Sequence, residues 1–370
     1  MSNGTPHVAN SKLYFPHLDS IRGLSFIAIF LFHAVRLPES PFFLANFIRY
    51  IYSNLPLGLE VFFVLSSFLL TWLGLIEYKK RGNFSFTNYF RRRALRIWPL
   101  YFFILFLGLI IVPEVASYFH DTVSLPNAWY YIFFIANFYT IDHVFFLRVL
   151  WTISVEEQFY LFWGLSIKFF YKNFIPLISI LILTSVSFSV YAAINHVSSY
   201  FNTLTYLFDF ACGASAAMIV FKKTGIARKL QSLTTLERKI FYAYPVFHFT
   251  LFYFLNQVTR GINNDFAALL SRYIFVIYIA LYIGRQVVNN SKSTYLAKNR
   301  FLIFTGKISY GLYCYHGIII TSVDFLLLKF HFENGVMVLI YFVVNYAIAT
   351  ISYFYLETPF LKLKKKWRRV

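Results

Sequence analysis

The sequence predicts an all-α polytopic membrane protein with about ten transmembrane helices and both termini in the cytoplasm. Of its 370 residues, 59% are hydrophobic and only 13% are charged, about half the charged fraction of an ordinary soluble domain. Apolar stretches of bilayer-spanning length recur from one end of the chain to the other. The basic residues, in turn, concentrate between alternate pairs of these stretches, which is typical of a multi-pass protein with a fixed orientation.

The apolar stretches divide the chain into ten predicted spans. Their continuous apolar character argues against a transmembrane β-barrel, whose strands alternate apolar and polar residues over ~10 positions. We predict a cytoplasmic N-terminal segment (1–16), a transmembrane domain (17–361) and a basic cytoplasmic tail (362–370). The predicted spans are 20–37, 52–75, 97–113, 149–171, 174–194, 203–222, 239–257, 268–285, 307–328 and 336–356.

The formal charge of +19 could suggest nucleic acid, but the placement of the basic residues favours a membrane surface. With the N-terminus in the cytosol, 28 of the 34 lysines and arginines fall on the cytosolic side of the predicted spans. This asymmetry follows the positive-inside rule. We therefore expect most of these charges to orient the protein and to contact anionic lipid headgroups, with no nucleic-acid partner.

The first span carries two ionisable residues that an apolar helix does not need. Arg22 and His33 are eleven residues apart, which places them within about 20° of one helix face and about 16 Å apart along it. Asp19 can pair with Arg22 around the entrance of the helix. Arg22 has a plainer interpretation as a snorkelling charge, and His33 as a hydrogen-bonded packing histidine. Ionisable groups inside a membrane-spanning helix usually face a polar cavity, however.

A second cluster, F-R-R-R-A-L-R-I-W-P, precedes a helix predicted to begin near Ile97. Arg92, Arg93 and Arg96 fall within about one turn and would form a dense cationic patch at the cytosolic face. Guanidinium groups suit phosphate oxygens because they can donate two parallel hydrogen bonds. The alternative is a purely orienting role, although orientation alone would not need so many arginines.

Three further motifs carry carboxylates or a histidine in apolar surroundings. In W-T-I-S-V-E-E-Q-F-Y-L, Glu156 and Glu157 are adjacent, and Ser154 has capping-box spacing to Glu157. His316 lies in G-K-I-S-Y-G-L-Y-C-Y-H-G, and Glu357 lies in Y-F-Y-L-E-T-P-F just before the basic tail. Taken alone, His316 and Glu357 are better explained by structural or supporting roles.

Together, the motifs resemble the membrane-bound acyltransferase 3 family over roughly residues 13–361. L-D-S-I-R-G-L with His33 is similar to the family's opening motif, and G-L-E-V-F-F-V-L-S-S-F-L is similar to its second-helix motif. The arginine cluster, W-T-I-S-V-E-E-Q-F-Y-L, I-S-Y-G-L-Y-C-Y-H and Y-L-E-T-P-F resemble its remaining motifs. Ser20 and Ser67 stand at positions where the family usually has glycine, a departure that concerns backbone packing more than chemistry.

The resemblance implies an O-acyltransferase that uses cytosolic acyl-CoA, with acetyl-CoA favoured, and acylates a hydroxyl of an extracytoplasmic polysaccharide or glycolipid. Phosphates would bind Arg92, Arg93 and Arg96, with Arg22 as a further ligand. His33 would act as general base or as nucleophile. A glutamate, Glu156, Glu157 or Glu357, would orient its imidazole. The sequence shows no metal-ligand spacing, and ester exchange requires no metal.

Two other classes of protein fit parts of the same pattern. A transporter or lipid-linked saccharide flippase would use the arginines for a phosphate-bearing substrate and the carboxylates as proton carriers. An accessory scaffold would need the polar residues only for stability. The resemblance favours the enzyme, in a bacterial-type cytoplasmic (inner) membrane. We expect a one-component enzyme, because no hydrolase-like domain follows residue 370 in this sequence.

Overall fold

A computed structural model describes residues 15–120, 122–139, 145–258, 264–289, 295–327 and 333–367. None of the residues in these ranges lies in a strand, and ten of their helices contain 19 to 26 residues. These long helices, numbered α1 to α10 in chain order, are Pro16–Ala34, Gly58–Arg81, Phe86–Phe106, Trp151–Phe170, Phe174–Ile194, Thr203–Phe221, Thr235–Val258, Asn264–Asn289, Ser309–Leu327 and Asn334–Ser352.

The structure confirms an all-helical, multi-pass membrane architecture. Each predicted span overlaps one long helix. In the described part of the chain, six helical segments are by length and composition able to cross a bilayer. The count of ten crossings and the cytoplasmic position of both termini stay predictions. The predicted N-terminal segment 1–16 and tail 362–370 lie partly outside the described residues, which begin at 15 and end at 367.

Helix α1 is displaced toward the N-terminus relative to the predicted span 20–37. It begins at Pro16, a residue suited to the first helical position, and ends at Ala34, so His33 lies in its last turn. Near its start, α1 packs tightly on the short helix Arg300–Lys307. A Cβ added at Gly306 would lie 1.7 Å from the carbonyl oxygen of Asp19. Only glycine therefore permits this contact.

Helix α3 begins at Phe86, so the prediction of a helix starting near Ile97 was wrong. Ser85 caps the helix by accepting a hydrogen bond from the Asn88 amide at 3.4 Å. The arginine cluster at 91–96 consequently lies within the helix instead of before it. Hydropathy located only the apolar part of this helix, because its first turns carry polar and charged side chains.

Helix α4 also corrects a prediction. It begins at Trp151 with Leu150 at the N-cap position, and no side chain caps it. Ser154 therefore lies inside the helix and is fully buried, so its capping-box spacing to Glu157 is not used. The helix itself begins and ends within two residues of the predicted span 149–171.

Candidate active site

A cavity lies between α1, α2, α3, α4 and α9, and we refer to it as the central cavity. Arg22, Arg93 and Arg96 lie on its wall, together with Glu156 and Tyr313. It encloses about 670 Å³ of space not filled by protein atoms, part of it continuous with solvent. Three arginines and one carboxylate on the wall leave this cavity with an excess of positive charge.

A second cavity adjoins the first toward the start of α1, and we refer to it as the vestibule. It contains about 860 Å³ of space not filled by protein atoms, part of it open to solvent, and is lined by Asp19, Glu357 and neighbouring residues. Arg22, Arg96 and Tyr310 belong to the walls of both cavities. The two cavities therefore share these three side chains as part of their walls. Together they lead from the basic end of the bundle toward its centre.

The arginines of the central cavity differ in how their charge is balanced. Arg22 pairs with Asp19 at 3.4 Å, as the sequence predicted. Arg93 lies over the ring of Tyr160, with its guanidinium carbon 5.3 Å from the ring centroid. Within the described part of the chain, Arg93 and Arg96 make no ion pair. These two guanidinium groups are the best placed to receive an anion.

Arg92 is oriented differently from its neighbours in the cluster. It pairs with buried Glu77 at 3.4 Å and donates a hydrogen bond to the carbonyl oxygen of Trp367 at 2.7 Å. It does not belong to the wall of either cavity. The structure thus places Arg22, Arg93 and Arg96 on the wall of one cavity, whereas Arg92 holds the C-terminal segment against α3.

Lys364, which sequence reasoning had assigned only to the basic tail, lies close to the same cations. Burial, followed by the charges of Arg96, Arg93, Arg92 and Arg22, lowers the pKa of Lys364 to about 6. Lys364 therefore lies within electrostatic range of all four arginines. The run K-K-K at 364–366 was visible in the sequence, but its folding back toward α3 was not.

The three candidate glutamates surround the arginines. Glu156 accepts hydrogen bonds from Ser66 and from Tyr160, both at 2.9 Å. Glu157 accepts a bond from the indole nitrogen of Trp98 at 3.3 Å.

Glu357, the third, lies on the wall of the vestibule close to Gly311, where an added Cβ would lie 3.0 Å from its Oε1. An orienting role toward His33 stays a prediction for all three glutamates.

His33 is paired with a second histidine, His316 of α9. The centroids of their rings are 5.1 Å apart, and His316 is fully buried while His33 is half-buried. The Nδ1 of His316 donates a hydrogen bond to the carbonyl oxygen of Tyr313. When neutral, His316 therefore carries its proton on Nδ1, and its Nε2 is an acceptor.

Tyr313 connects this histidine pair to the central cavity. Its ring lies 5.2 Å from that of His316, between centroids, and its side chain is part of the cavity wall. In the described chain, His33 itself is not part of the walls of the central cavity or the vestibule. The central cavity thus reaches Tyr313, and the rings of Tyr313 and His316 lie between it and His33.

Comparison with known proteins places this architecture among acyltransferases. An acyltransferase domain family, Acyl_transf_3, matches residues 15–354. The protein SACOL0978 of Staphylococcus aureus (strain COL), provisionally named an O-acetyltransferase, is 27% identical over 379 residues, covering 94% of this chain and 58% of the relative. The O-acetyltransferase OatA of S. aureus (strain NCTC 8325 / PS 47) is 26% identical over 375 residues, covering 95% and 58% respectively.

This chain therefore spans about 58% of the length of the curated relatives it matches. No solved structure gives a significant match.

Proposed function

Because this chain belongs to the acyltransferase 3 family, we propose that it is a membrane-bound O-acyltransferase. The donor is cytosolic acyl-CoA, with acetyl-CoA favoured. The acceptor is a hydroxyl group of an extracytoplasmic polysaccharide or glycolipid. On this proposal the arginine-lined end of the bundle faces the cytosol, as the distribution of basic residues predicts.

The observation that carries the proposal is the uncompensated charge around the central cavity. Arg93 and Arg96 make no ion pair in the described chain, and the nearby Lys364, whose pKa is lowered to about 6, can gain a proton when an anion binds. The phosphates of a nucleotide would supply the missing negative charge. Each guanidinium can hold phosphate oxygens through charge-assisted hydrogen bonds, which are about twice as strong as bonds between neutral groups.

The long shape of acyl-CoA fits the two adjoining cavities. With its phosphates at Arg93 and Arg96, its pantetheine arm would extend along α1 through the central cavity toward Tyr313. Arg22 and His33 are separated by about 16 Å along α1. A movement of Tyr313 or His316 would then be needed to bring the thioester to His33.

The reaction at His33 can follow one of two balanced routes. As general base, His33 takes the proton of the acceptor hydroxyl while the oxygen bonds to the thioester carbon. The carbon–sulfur bond breaks, and CoA leaves as its thiol after receiving that proton. As nucleophile, His33 first forms an acyl-imidazole with release of CoA, and the acceptor hydroxyl then displaces the imidazole.

Release of CoA thiol from acetyl-CoA by the purified protein, with and without a saccharide acceptor, tests the proposal. We expect His33→Ala to lower acceptor-dependent release by about 10²–10⁴-fold, the usual contribution of a general acid or base. His120→Asn is the matched control, because His120 is exposed and has a positive φ of 58°, which asparagine tolerates.

Full turnover by His33→Ala would exclude His33 from the chemistry. Movement of a saccharide across proteoliposomes without thiol release would favour the transporter or flippase instead.

A further inference from the structure

A third cavity lies at the end of the bundle opposite the vestibule, and we refer to it as the distal cavity. It is bounded by the start of α2, the end of α5, the start of α6 and the start of α8, together with the segment 195–202. It contains about 1100 Å³ of space not filled by protein atoms, part of it open to solvent. None of its lining residues belongs to the walls of the central cavity or the vestibule.

The floor of the distal cavity carries a buried ionic cluster contributed by three helices. Arg272 donates from Nε to Glu60 at 3.1 Å and from Nη2 to Asp209. Glu60 is only 6% exposed, and Asp209 is fully buried. The cluster therefore contains two carboxylates for one guanidinium.

One carboxylate oxygen on each acidic residue is unused. Glu60 Oε2 and Asp209 Oδ1 are buried without a hydrogen-bond partner in the described chain, and Glu60 lines the cavity. A buried acceptor left unsatisfied costs about 1–3 kcal/mol, and more when it is charged. A ligand that donates a hydrogen bond to Glu60 would remove this cost.

The remaining wall of the cavity suits a ligand rich in hydroxyl groups. Hydroxyl side chains surround the ionic floor, including Ser198, Ser199 and Thr205. Tyr200 is 42% exposed and therefore presents part of an aromatic surface at the mouth. Carboxylate and hydroxyl acceptors beside an accessible aromatic ring match the mixed polar and apolar faces of a sugar.

The walls of the distal cavity and of the central cavity meet at a pair of aromatic rings. Phe63 on the wall of the central cavity and Tyr206 on the wall of the distal cavity have ring centroids 4.8 Å apart. A ligand held in the distal cavity would thus lie one pair of aromatic rings away from the central cavity.

We propose that the distal cavity binds the acceptor saccharide, with Glu60 receiving a hydrogen bond from one of its hydroxyl groups. The identification of this saccharide as the acyl acceptor rests on the proposed function. Saccharide binding itself does not, and it can be measured without acyl transfer.

The test measures binding of chitotetraose, maltotetraose and mannotetraose to the full chain in nanodiscs by titration calorimetry. Ala193→Trp places an indole ring in the cavity and leaves the three residues of the ionic cluster unchanged, and Glu60→Gln replaces a carboxylate oxygen with an amide group. Ile194→Trp is the matched control, because Ile194 is 61% exposed and does not line the cavity.

We expect at least one probe to bind the wild-type protein, with affinity at least tenfold weaker in Ala193→Trp and Glu60→Gln. The affinity of Ile194→Trp should stay within twofold of wild type. Absence of binding of all three probes to the wild type, or undiminished binding to Ala193→Trp, would overturn the proposal.

Parallel measurements of CoA release separate this inference from the proposed function. Saccharide binding without any acceptor-dependent thiol release would support the saccharide site and refute the proposed acyltransferase activity. Conversely, Ala193→Trp could turn over with the same KM for the acceptor as the wild type. That result would support the acyltransferase activity and refute the proposed saccharide site.

Discussion

Partly buried arginines occur at both ends of this bundle, but their charges are balanced in opposite ways. Arg272, beside the distal cavity, contacts the carboxylates of both Glu60 and Asp209. Arg93 and Arg96, beside the central cavity, make no ion pair within the described residues. One end of the bundle therefore has a surplus of carboxylate and the other a surplus of guanidinium.

This difference separates an arginine that supports the fold from arginines that can receive a ligand. Removal of Arg272 would leave two carboxylates buried without a counter-charge, which is a costly state. Removal of Arg93 or Arg96 would instead relieve repulsion among neighbouring cations. Loss of an arginine should consequently lower stability at the distal cavity and lower donor binding at the central cavity.

The largest effect should come from Arg272→Met. Breaking a buried ion pair by removing one partner costs about 3–5 kcal/mol, so we expect a clearly lower thermal unfolding midpoint in detergent. Arg93→Met is the matched substitution at the other end, and its midpoint should equal or exceed that of the wild type. Equal losses of stability in both variants would show that the two arginine environments do not differ as described.

The next effect concerns donor affinity. Arg96→Ala should weaken binding of acetyl-CoA by about 10- to 100-fold, because a hydrogen bond to a charged group contributes about 1.5–3 kcal/mol. Equilibrium binding of radiolabelled acetyl-CoA measures this change. Arg91→Ala is the control, because Arg91 is an exposed arginine of the same helix and lies outside both cavity walls. A comparable loss in Arg91→Ala would indicate general attraction to the basic surface.

A smaller effect is expected in the pH dependence of donor binding. Because the pKa of Lys364 is lowered to about 6, this group is mostly neutral at pH 7.5 without ligand. Bound phosphate favours its protonated form, so binding takes up a proton. Acetyl-CoA affinity should strengthen as the pH falls from 8 to 6, by at most about tenfold per pH unit.

Lys364→Ala should flatten this pH profile. The phosphates of acetyl-CoA titrate in both experiments, so the difference between the two profiles reports the contribution of Lys364 alone. Identical profiles in the two proteins would place Lys364 outside the donor site.

The smallest effect should come from Arg92→Gln. Arg92 is already engaged by Glu77 and the carbonyl of Trp367, so we expect its loss to change acetyl-CoA affinity by less than about threefold. The same binding assay measures it. A loss as large as that of Arg96→Ala would mean that Arg92 turns into the cavity when the donor binds.

The sequence was most informative where a signal is local. Apolar runs located the long helices, and the pairing of Asp19 with Arg22 followed from their spacing of three residues. The start of α3 was misplaced because its first turns are polar and hydropathy does not detect them. Ser154 was misassigned as a cap because capping residues can also occur inside helices.

Contacts between distant helices could not be read from the sequence. Glu60, Asp209 and Arg272 belong to α2, α6 and α8, and no spacing rule connects residues so far apart. The same holds for His33 and His316, because nothing in the sequence predicts that their rings meet. Their proximity depends on how α1 and α9 pack, which is a property of the whole bundle.

The most direct test of the account is a cryo-electron microscopy structure of the full chain in nanodiscs with a non-hydrolysable acetyl-CoA analogue. We predict phosphate density within hydrogen-bonding distance of Arg93 and Arg96, and the acyl carbonyl beside His33 after displacement of Tyr313 or His316. A donor bound elsewhere, or an acyl group that stays in the vestibule with both rings still between it and His33, would contradict the account.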